Sequence, residues 1–231
     1  MGEQPNTCIQ INYYERRELL PLLIHGAGGH TKVLLDVLLK ERRHIIGIVT
    51  PHLDSGTNYL GLSVIGNDES VFKYDTQEVL LINGIGSLPG KQQRWNLSMM
   101  MRERGYRFSR VIHPNSTIAT DVLLAEGVQI MAGVIIQPGC KIGQDSIINT
   151  GSQIDHDVII GDNCHIAPGV TISGEVKIGD NVHIGTGAKV IQRLTIGAGS
   201  VIAAGTTVYK DVPSGVKVHQ QARIVMEEFK D

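Results

Sequence analysis

Aromatic residues are scarce in this chain, where they make up 4% of the 231 residues. Cysteine is scarce as well: Cys8, Cys140 and Cys164 are the three cysteines, and they form no Cys-x-x-Cys pair. An odd number of cysteines without a secretion signal is typical of a protein from a reducing cytoplasm. Positive charge is not in excess either, since the formal net charge is −2. This balance argues against nucleic acid as a partner.

Long hydrophobic runs are also missing. The longest apolar runs are too short to span a bilayer. The first twenty residues, MGEQPNTCIQINYYERRELL, are polar and contain no apolar segment of the kind found in signal peptides. We therefore expect a cytoplasmic protein with no membrane span.

Glycine, by contrast, is abundant, with 27 residues, and the second half of the chain repeats every six residues. Seventeen consecutive aliphatic residues occupy every sixth position from Ile112 to Val208. The fourth residue of each hexad is Gly, Asn or Asp in fifteen of the seventeen cases, Glu175 and Arg193 being the exceptions. These three residue types tolerate the left-handed backbone of a sharp corner. The pattern predicts a parallel β-helix built from hexapeptide repeats.

Three hexads would close one triangular coil of 18 residues, with the first-position aliphatic side chains stacked inside it. Coils of this type resemble the left-handed β-helix. Residues 18 apart should then stack on adjacent coils, as His165 and His183 do in this scheme. Cys140 and Cys164 fall on the small, inward fifth position and are predicted to be packing residues. Histidine is not required by the repeat, so His156, followed by Asp157, and His165 are candidates for function.

The segment from residue 21 to about residue 110 does not follow the hexad. Its opening, LPLLIHGAGGHTKVLLDVLLKERRHIIGIV, reads as a strand, a glycine turn, a helix and a second strand. A small parallel α/β domain of Rossmann-like type is therefore predicted. The backbone N–H groups of such a turn at a helix N-terminus suit a phosphate. We predict an extension over 1–20, an α/β domain over 21–110, a β-helix over 111–215 and a tail over 216–231.

The hexads alone are shared by many acyltransferases and nucleotidyltransferases. The combination of GAGGH with NTGSQIDHDVIIGDNCHIAPG is more specific and resembles one family. That family is the hexapeptide-repeat sugar O- and N-acetyltransferases, which includes UDP-4-amino-sugar N-acetyltransferases and sialic acid O-acetyltransferase-like proteins, of PglD or NeuD type. The resemblance covers roughly residues 21–220. It implies a homotrimer with the active site between neighbouring β-helices, acetyl-CoA as co-substrate, and a nucleotide-sugar bound against the N-terminal domain.

The resemblance also implies roles for individual residues. The catalytic pair falls on His156 and Asp157; acetyl-CoA contacts fall on His165, Gly174, Thr186 and Ala204; nucleotide-sugar contacts fall on Gly28, Gly29 and His30. No metal is expected. The family usually carries an acidic pair after the second strand, where this chain has Thr50 and Pro51, so the nucleotide need not be UDP.

The expected chemistry follows from the acceptor. An amine attacking a thioester must lose a proton, which a histidine oriented by a carboxylate can accept near neutral pH. The oxyanion that develops needs a hydrogen-bond donor, and the Gly174 N–H and a protonated His165 are both candidates for this role. We expect N-acetylation of a nucleotide-linked amino sugar, such as a 4-amino-4,6-dideoxy sugar, in surface polysaccharide synthesis.

Three other functions are set against this expectation. The first is O-acetylation of a sugar of the sialic acid type, because the sequence does not separate amine from hydroxyl acceptors. The second is a hexapeptide-repeat zinc enzyme of carbonic anhydrase type, which His156, His165 and His183 do not favour because their spacing is wrong. The third is a scaffold that only trimerises, against which the histidine–aspartate pair and the glycine turn argue.

Overall fold

The computed structural model describes residues 20–220, and its first part is a five-stranded sheet with the order β3-β4-β2-β1-β5. Strands β1, β2, β4 and β5 are parallel, and β3 joins β4 in antiparallel fashion. Both faces of the sheet are buried under apolar clusters, one of them built on α1 and the other on α2. The elements are β1 Leu22–His25, α1 Gly29–Lys40, β2 Ile45–Val49, β3 Asn58–Tyr59, β4 Leu62–Gly66, a 3-10 helix Asp68–Lys73, β5 Leu80–Asn83 and α2 Gln93–Glu103.

The second part is a parallel β-helix of eighteen two-residue strands in three sheets. The seven-stranded face holds β6, β9, β12, β15, β18, β21 and β23; the six-stranded face holds β7, β10, β13, β16, β19 and β22; the five-stranded face holds β8, β11, β14, β17 and β20. The strands are β6 Val111–Ile112, β7 Thr117–Ile118, β8 Leu123–Leu124, β9 Gln129–Ile130, β10 Ile135–Ile136, β11 Lys141–Ile142, β12 Ile147–Ile148, β13 Gln153–Ile154, β14 Ile159–Ile160, β15 His165–Ile166, β16 Thr171–Ile172, β17 Lys177–Ile178, β18 His183–Ile184, β19 Lys189–Val190, β20 Thr195–Ile196, β21 Val201–Ile202, β22 Thr207–Val208 and β23 Lys217–Val218. The predicted architecture, an α/β domain followed by a β-helix, is confirmed.

The hexad aliphatic residues form the core of the β-helix, as the repeat predicts. From Ile130 to Val208 every one of them is buried, and together they form one continuous cluster. Cys140 and Cys164 lie in this cluster, and burial raises the pKa of the Cys164 thiol to about 12. Cys164 is therefore a packing residue with no thiolate at neutral pH.

The corners adopt the left-handed backbone that their composition indicates. Among the seventeen fourth positions, eight glycines and six other residues have positive φ. Glu175 and Arg193, the two exceptions in residue type, are among them, with φ of 61° and 62°. An ion pair joins these two side chains across one coil, with Arg193 Nε 3.0 Å from Glu175 Oε1. Asp157 also has positive φ, at 58°, so it has a structural role at its corner besides any chemical one.

The β-helix extends beyond the boundary of the predicted tail. Lys217–Val218 forms β23 and pairs with β21, although residues 216–231 were predicted to lie outside the helix. The hexad count stops at Val208 because the register slips there: Val212, four residues later, pairs with Ile196, and Val218 follows six residues after that. The expected extension over 1–20 lies outside the described residues apart from Leu20, as does the tail after Gln220.

The N-terminal domain packs on the seven-stranded face through polar side chains. Arg102 of α2 binds the buried Asp145 and, through its Nε, Glu126 Oε1 at 3.1 Å. Arg94, which is 3% exposed, donates from Nη1 to the carbonyl oxygens of Asn83 at 2.7 Å and Ile85 at 2.9 Å. Arg94 also donates from Nη2 to the Asp145 carbonyl oxygen at 3.4 Å. These contacts hold the start of the 84–92 loop against the β-helix, because a buried guanidinium requires its partners to stay in place.

Candidate functional site

His156 and Asp157 form a solvent-exposed pair at the corner between β13 and β14. Nδ1 of His156 lies 2.9 Å from Oδ2 of Asp157, and both side chains are more than half exposed. The hydrogen bond from the imidazole to the Asp157 carboxylate raises the pKa of His156 above its usual value. Because Nδ1 donates to Asp157, the other ring nitrogen, Nε2, carries the free lone pair. We name these two residues the corner pair.

Gly174 lies next to the corner pair, on the following coil. A Cβ atom on Gly174 would lie 2.5 Å from Nε2 of His156, so any larger residue would displace the imidazole. Within residues 20–220, the Gly174 N–H makes no hydrogen bond, whereas the next N–H, that of Glu175, donates to the His156 carbonyl at 2.9 Å. The free ring nitrogen of His156 and an unused backbone donor are thus close together.

A second group lies at the seven-stranded face, where His165 and His183 of the β-helix meet His30 of α1; we name these three residues the histidine cluster. His165 and His183 are partners in the β15–β18 register, and their rings meet edge to face with centroids 4.8 Å apart. The predicted stacking of these two residues is confirmed. Nε2 of His30, in the first turn of α1, lies 2.7 Å from Oε1 of the buried Gln129 on β9.

The histidine cluster is uncharged at neutral pH. Burial is the main cause that lowers the pKa of His165 to about 3, and the neighbouring His183 and His30 lower it further. Burial, followed by the charge of Arg94, lowers the pKa of His30 to about 4. The pKa of His183 is lowered by burial too. A protonated His165 is therefore disfavoured as the donor to an oxyanion.

A groove of about 540 Å³ runs beside the histidine cluster. Its walls come from both domains: His183, Thr186 and Ala204 line it from the β-helix, and Pro89 and Gly90 line it from the 84–92 loop. Three residues predicted to contact acetyl-CoA, namely His165, Thr186 and Ala204, are thus grouped on or beside the seven-stranded face. Gly174, the fourth, lies with the corner pair at the edge between the other two faces.

The glycine turn after β1 approaches the β-helix through His30. Gly28 is the N-cap of α1, and a Cβ on Gly28 or on Gly29 would meet no atom within 4 Å, so the turn is open. The Thr31 hydroxyl ties the turn to the next loop by donating to the carbonyl oxygens of Gly26 at 2.8 Å and Gly84 at 3.1 Å. His30, which follows the turn, contacts the β-helix through Gln129 and is the α/β domain's contribution to the histidine cluster.

Comparison with known proteins identifies both halves of the chain. Residues 21–98 match the PglD N-terminal domain, and residues 139–174 and 175–210 match the bacterial transferase hexapeptide (six repeats). A histidine variant of perosamine N-acetyltransferase from Caulobacter crescentus, solved with CoA and GDP-perosamine, is 34% identical, with a TM-score of 0.78, over 85% of this chain and 92% of that one. The chain belongs to the PglD-type family of hexapeptide-repeat sugar acetyltransferases. The predicted family and enzyme class are therefore confirmed.

Two other members of the family have the same architecture. The acetyltransferase domain of PglB from Neisseria gonorrhoeae, solved with acetyl coenzyme A, is 27% identical, with a TM-score of 0.78, over 85% of this chain and 94% of that one. WeeI from Acinetobacter baumannii is 26% identical, with a TM-score of 0.72, over 89% of this chain and 100% of that one. A search among curated proteins gave no match.

In residues 20–220, no group of three or more His, Cys, Asp or Glu side chains is arranged to hold a metal ion. No helix within the same residues is long and apolar enough to cross a membrane.

Sequence reasoning missed three residues around the histidine cluster: Gln129, Asn149 and Arg94. Gln129 stands two coils before His165 in the same strand column, so the 18-residue spacing contained a signal for it. Asn149 meets His165 from the neighbouring coil, with Nδ2 3.3 Å from Nε2. Arg94 comes from the other domain, and no local pattern indicates its contact with Asn83 and Ile85.

Proposed function

We propose that this PglD-type enzyme transfers an acetyl group from acetyl-CoA to the amine of a nucleotide-linked amino sugar, with His156 as the general base. The observation that carries the proposal is the corner pair: a solvent-exposed imidazole held by Asp157 through Nδ1, with Nε2 free and beside the unused Gly174 N–H. Related structures contain CoA, acetyl-CoA and GDP-perosamine, which supports acetyl-CoA as donor here.

The proposed reaction needs no covalent enzyme intermediate. The amine nitrogen attacks the thioester carbonyl carbon, the C–N bond forms, and the carbonyl oxygen becomes an oxyanion that the Gly174 N–H stabilises. Nε2 of His156 takes the proton from the amine. The tetrahedral species then collapses, the C–S bond breaks, and the proton passes to the departing CoA thiolate.

The active site is proposed to combine two copies of the chain. In a single chain the corner pair lies between the six- and five-stranded faces, whereas the groove of Thr186 and Ala204 lies beside the seven-stranded face. A trimer that sets the corner of one β-helix against the groove of the next would bring base and donor together. The homotrimer and a cytoplasmic location are parts of this proposal.

The nucleotide is proposed to be GDP. The 34% identical enzyme was solved with GDP-perosamine. In addition, this chain has the buried Thr50 and the following Pro51 at the end of β2, where the UDP-type pattern has acids. Gly28, Gly29 and His30 are the proposed contacts of the sugar nucleotide, because the open turn before α1 offers backbone N–H groups to the diphosphate.

The test is acetyl transfer from acetyl-CoA, followed by release of the CoA thiol. The acceptors are GDP-perosamine, UDP- and dTDP-linked 4-amino sugars, GDP-mannose as the matched hydroxyl-only control, and sialic acid. We expect turnover with GDP-perosamine and none with GDP-mannose. Turnover confined to GDP-mannose or sialic acid would instead establish the O-acetyltransferase alternative, and inactivity with the whole panel would refute the proposal.

Replacing Asp157 by Asn is expected to shift the pH profile of the reaction. The Asp157 carboxylate raises the pKa of His156, and a base acts only when neutral, so wild-type activity falls as the pH drops through that raised value. Without the charge, His156 stays neutral to lower pH, so the acid limb of kcat/KM moves down while kcat falls about 10- to 100-fold. Asn suits the positive φ of residue 157. An acid limb that stays in place would show that Asp157 does not set the basicity of His156.

A further inference from the structure

We propose that His183 is a catalytic residue that donates a hydrogen bond from Nε2 to the acyl carbonyl oxygen of the bound donor. The inference rests on the proposed function, because it takes the groove beside the histidine cluster to be the acetyl-CoA site. It assigns to His183 a contact that the family resemblance places on His165.

The neighbours of His165 determine which of its ring nitrogens carries the proton. The Asn149 side-chain oxygen accepts hydrogen bonds from the Thr150 N–H at 2.8 Å and the Thr150 hydroxyl at 3.3 Å. The amide NH₂ of Asn149 must therefore face His165, where it lies 3.3 Å from Nε2. Since an NH₂ group can only donate, Nε2 of His165 accepts, and its single ring proton is on Nδ1. Nε2 of His165 is thus occupied, and it carries no hydrogen to offer to a carbonyl.

His183, in contrast, has no hydrogen-bond partner for its ring nitrogens among residues 20–220. Its Nδ1 is buried and has no partner among residues 20–220. No hydrogen bond among the same residues uses Nε2, and this atom, unlike Nδ1, is not sealed from solvent. The side chain lines the 540 Å³ groove together with Thr186 and Ala204. His183 therefore supplies the unused imidazole nitrogen of this groove.

Packing restricts the orientation of the His183 ring. The ring meets that of His165 edge to face, with centroids 4.8 Å apart, and Pro89 and Gly90 of the loop line the same groove. A side chain held in this way can meet a ligand oxygen without losing further rotamer freedom. Because burial keeps both rings neutral, a proton on Nε2 of His183 would be offered as a neutral hydrogen bond rather than as a charge.

The test compares two ligands that differ in the acyl carbonyl: CoA, and acetonyl-CoA, an unreactive ketone analogue of acetyl-CoA. Calorimetric affinities are measured for the wild type, for His183→Phe, which keeps an aromatic ring against His165 but has no nitrogen, and for His183→Gln, which restores an N–H donor. We expect His183→Phe to weaken acetonyl-CoA binding about 3- to 10-fold more than it weakens CoA binding. His183→Gln should recover most of this loss.

Three other outcomes of these binding measurements would contradict the proposed role of His183. Equal weakening of CoA and acetonyl-CoA, or no weakening of either, would overturn the assignment to the acyl oxygen while leaving the proposed reaction intact. Failure of CoA to bind the wild type would refute the proposed function and this inference with it. A thermal unfolding midpoint shared by the three proteins is the check that His183→Phe folds normally.

Discussion

His156→Ala is expected to lower kcat by about 10²- to 10⁴-fold, which is the usual contribution of a general base. The KM for acetyl-CoA and the unfolding temperature should stay near their wild-type values, because the side chain is 53% exposed and its only side-chain partner in the described residues is Asp157. The measurement is steady-state acetyl transfer by His156→Ala and by a control variant, with acetyl-CoA varied at a saturating concentration of the acceptor. His44→Ala is the matched control, since His44 is an exposed histidine far from the corner in sequence and fold.

A second readout separates loss of the base from loss of the local structure. Free imidazole in the assay should restore part of the His156→Ala activity, because it can take the same proton from the space that the side chain has left. It should leave the His44→Ala rate unchanged. A His156→Ala enzyme that retains more than about a third of the wild-type kcat would remove His156 from the mechanism, since no general base contributes so little.

The repeat made the β-helix and the corner pair predictable. A period of six fixes which side chains point inward, and a period of 18 fixes which ones stack, so the contact of His165 with His183 follows from counting. The adjacency of His156 and Asp157 is local as well. The position of Gly174 follows from the same period of 18: it stands 18 residues after His156, and its lack of a side chain leaves room for the imidazole.

The parts that the sequence did not predict depend on long-range packing. The protonation state of His165 is one case, because its low pKa results from burial and from the neighbouring His183 and His30, and His30 belongs to α1, far away in the sequence. The contact of Arg102 with Asp145 is another, since a buried ion pair between two domains has no periodic signature. The end of the β-helix was placed too early because the register slips by two residues after Val208, where Val212 takes the place expected six residues on.

Two inactive variants are expected to restore activity to each other when their subunits are mixed. His156→Ala removes the base from the corner, and Ala204→Trp fills the donor groove from an exposed position in its wall. If each active site combines the corner of one chain with the groove of the next, a mixed trimer contains some sites in which both halves are intact. Random assembly of equal amounts should give about a quarter of the wild-type rate. Each site needs a chain with an intact corner on one side and a chain with an intact groove on the other, and each of these two conditions is met in about half of the cases.

The experiment unfolds the two variants together, refolds them and measures acetyl transfer, with each variant refolded alone as the control. Both controls should stay inactive, so activity in the mixture can arise only from sites shared between chains. A mixture as inactive as its parts, although wild type refolds to full activity under the same conditions, would place the base and the donor groove within one chain. The structure argues against that outcome, because the corner pair and the groove lie on different sides of this β-helix.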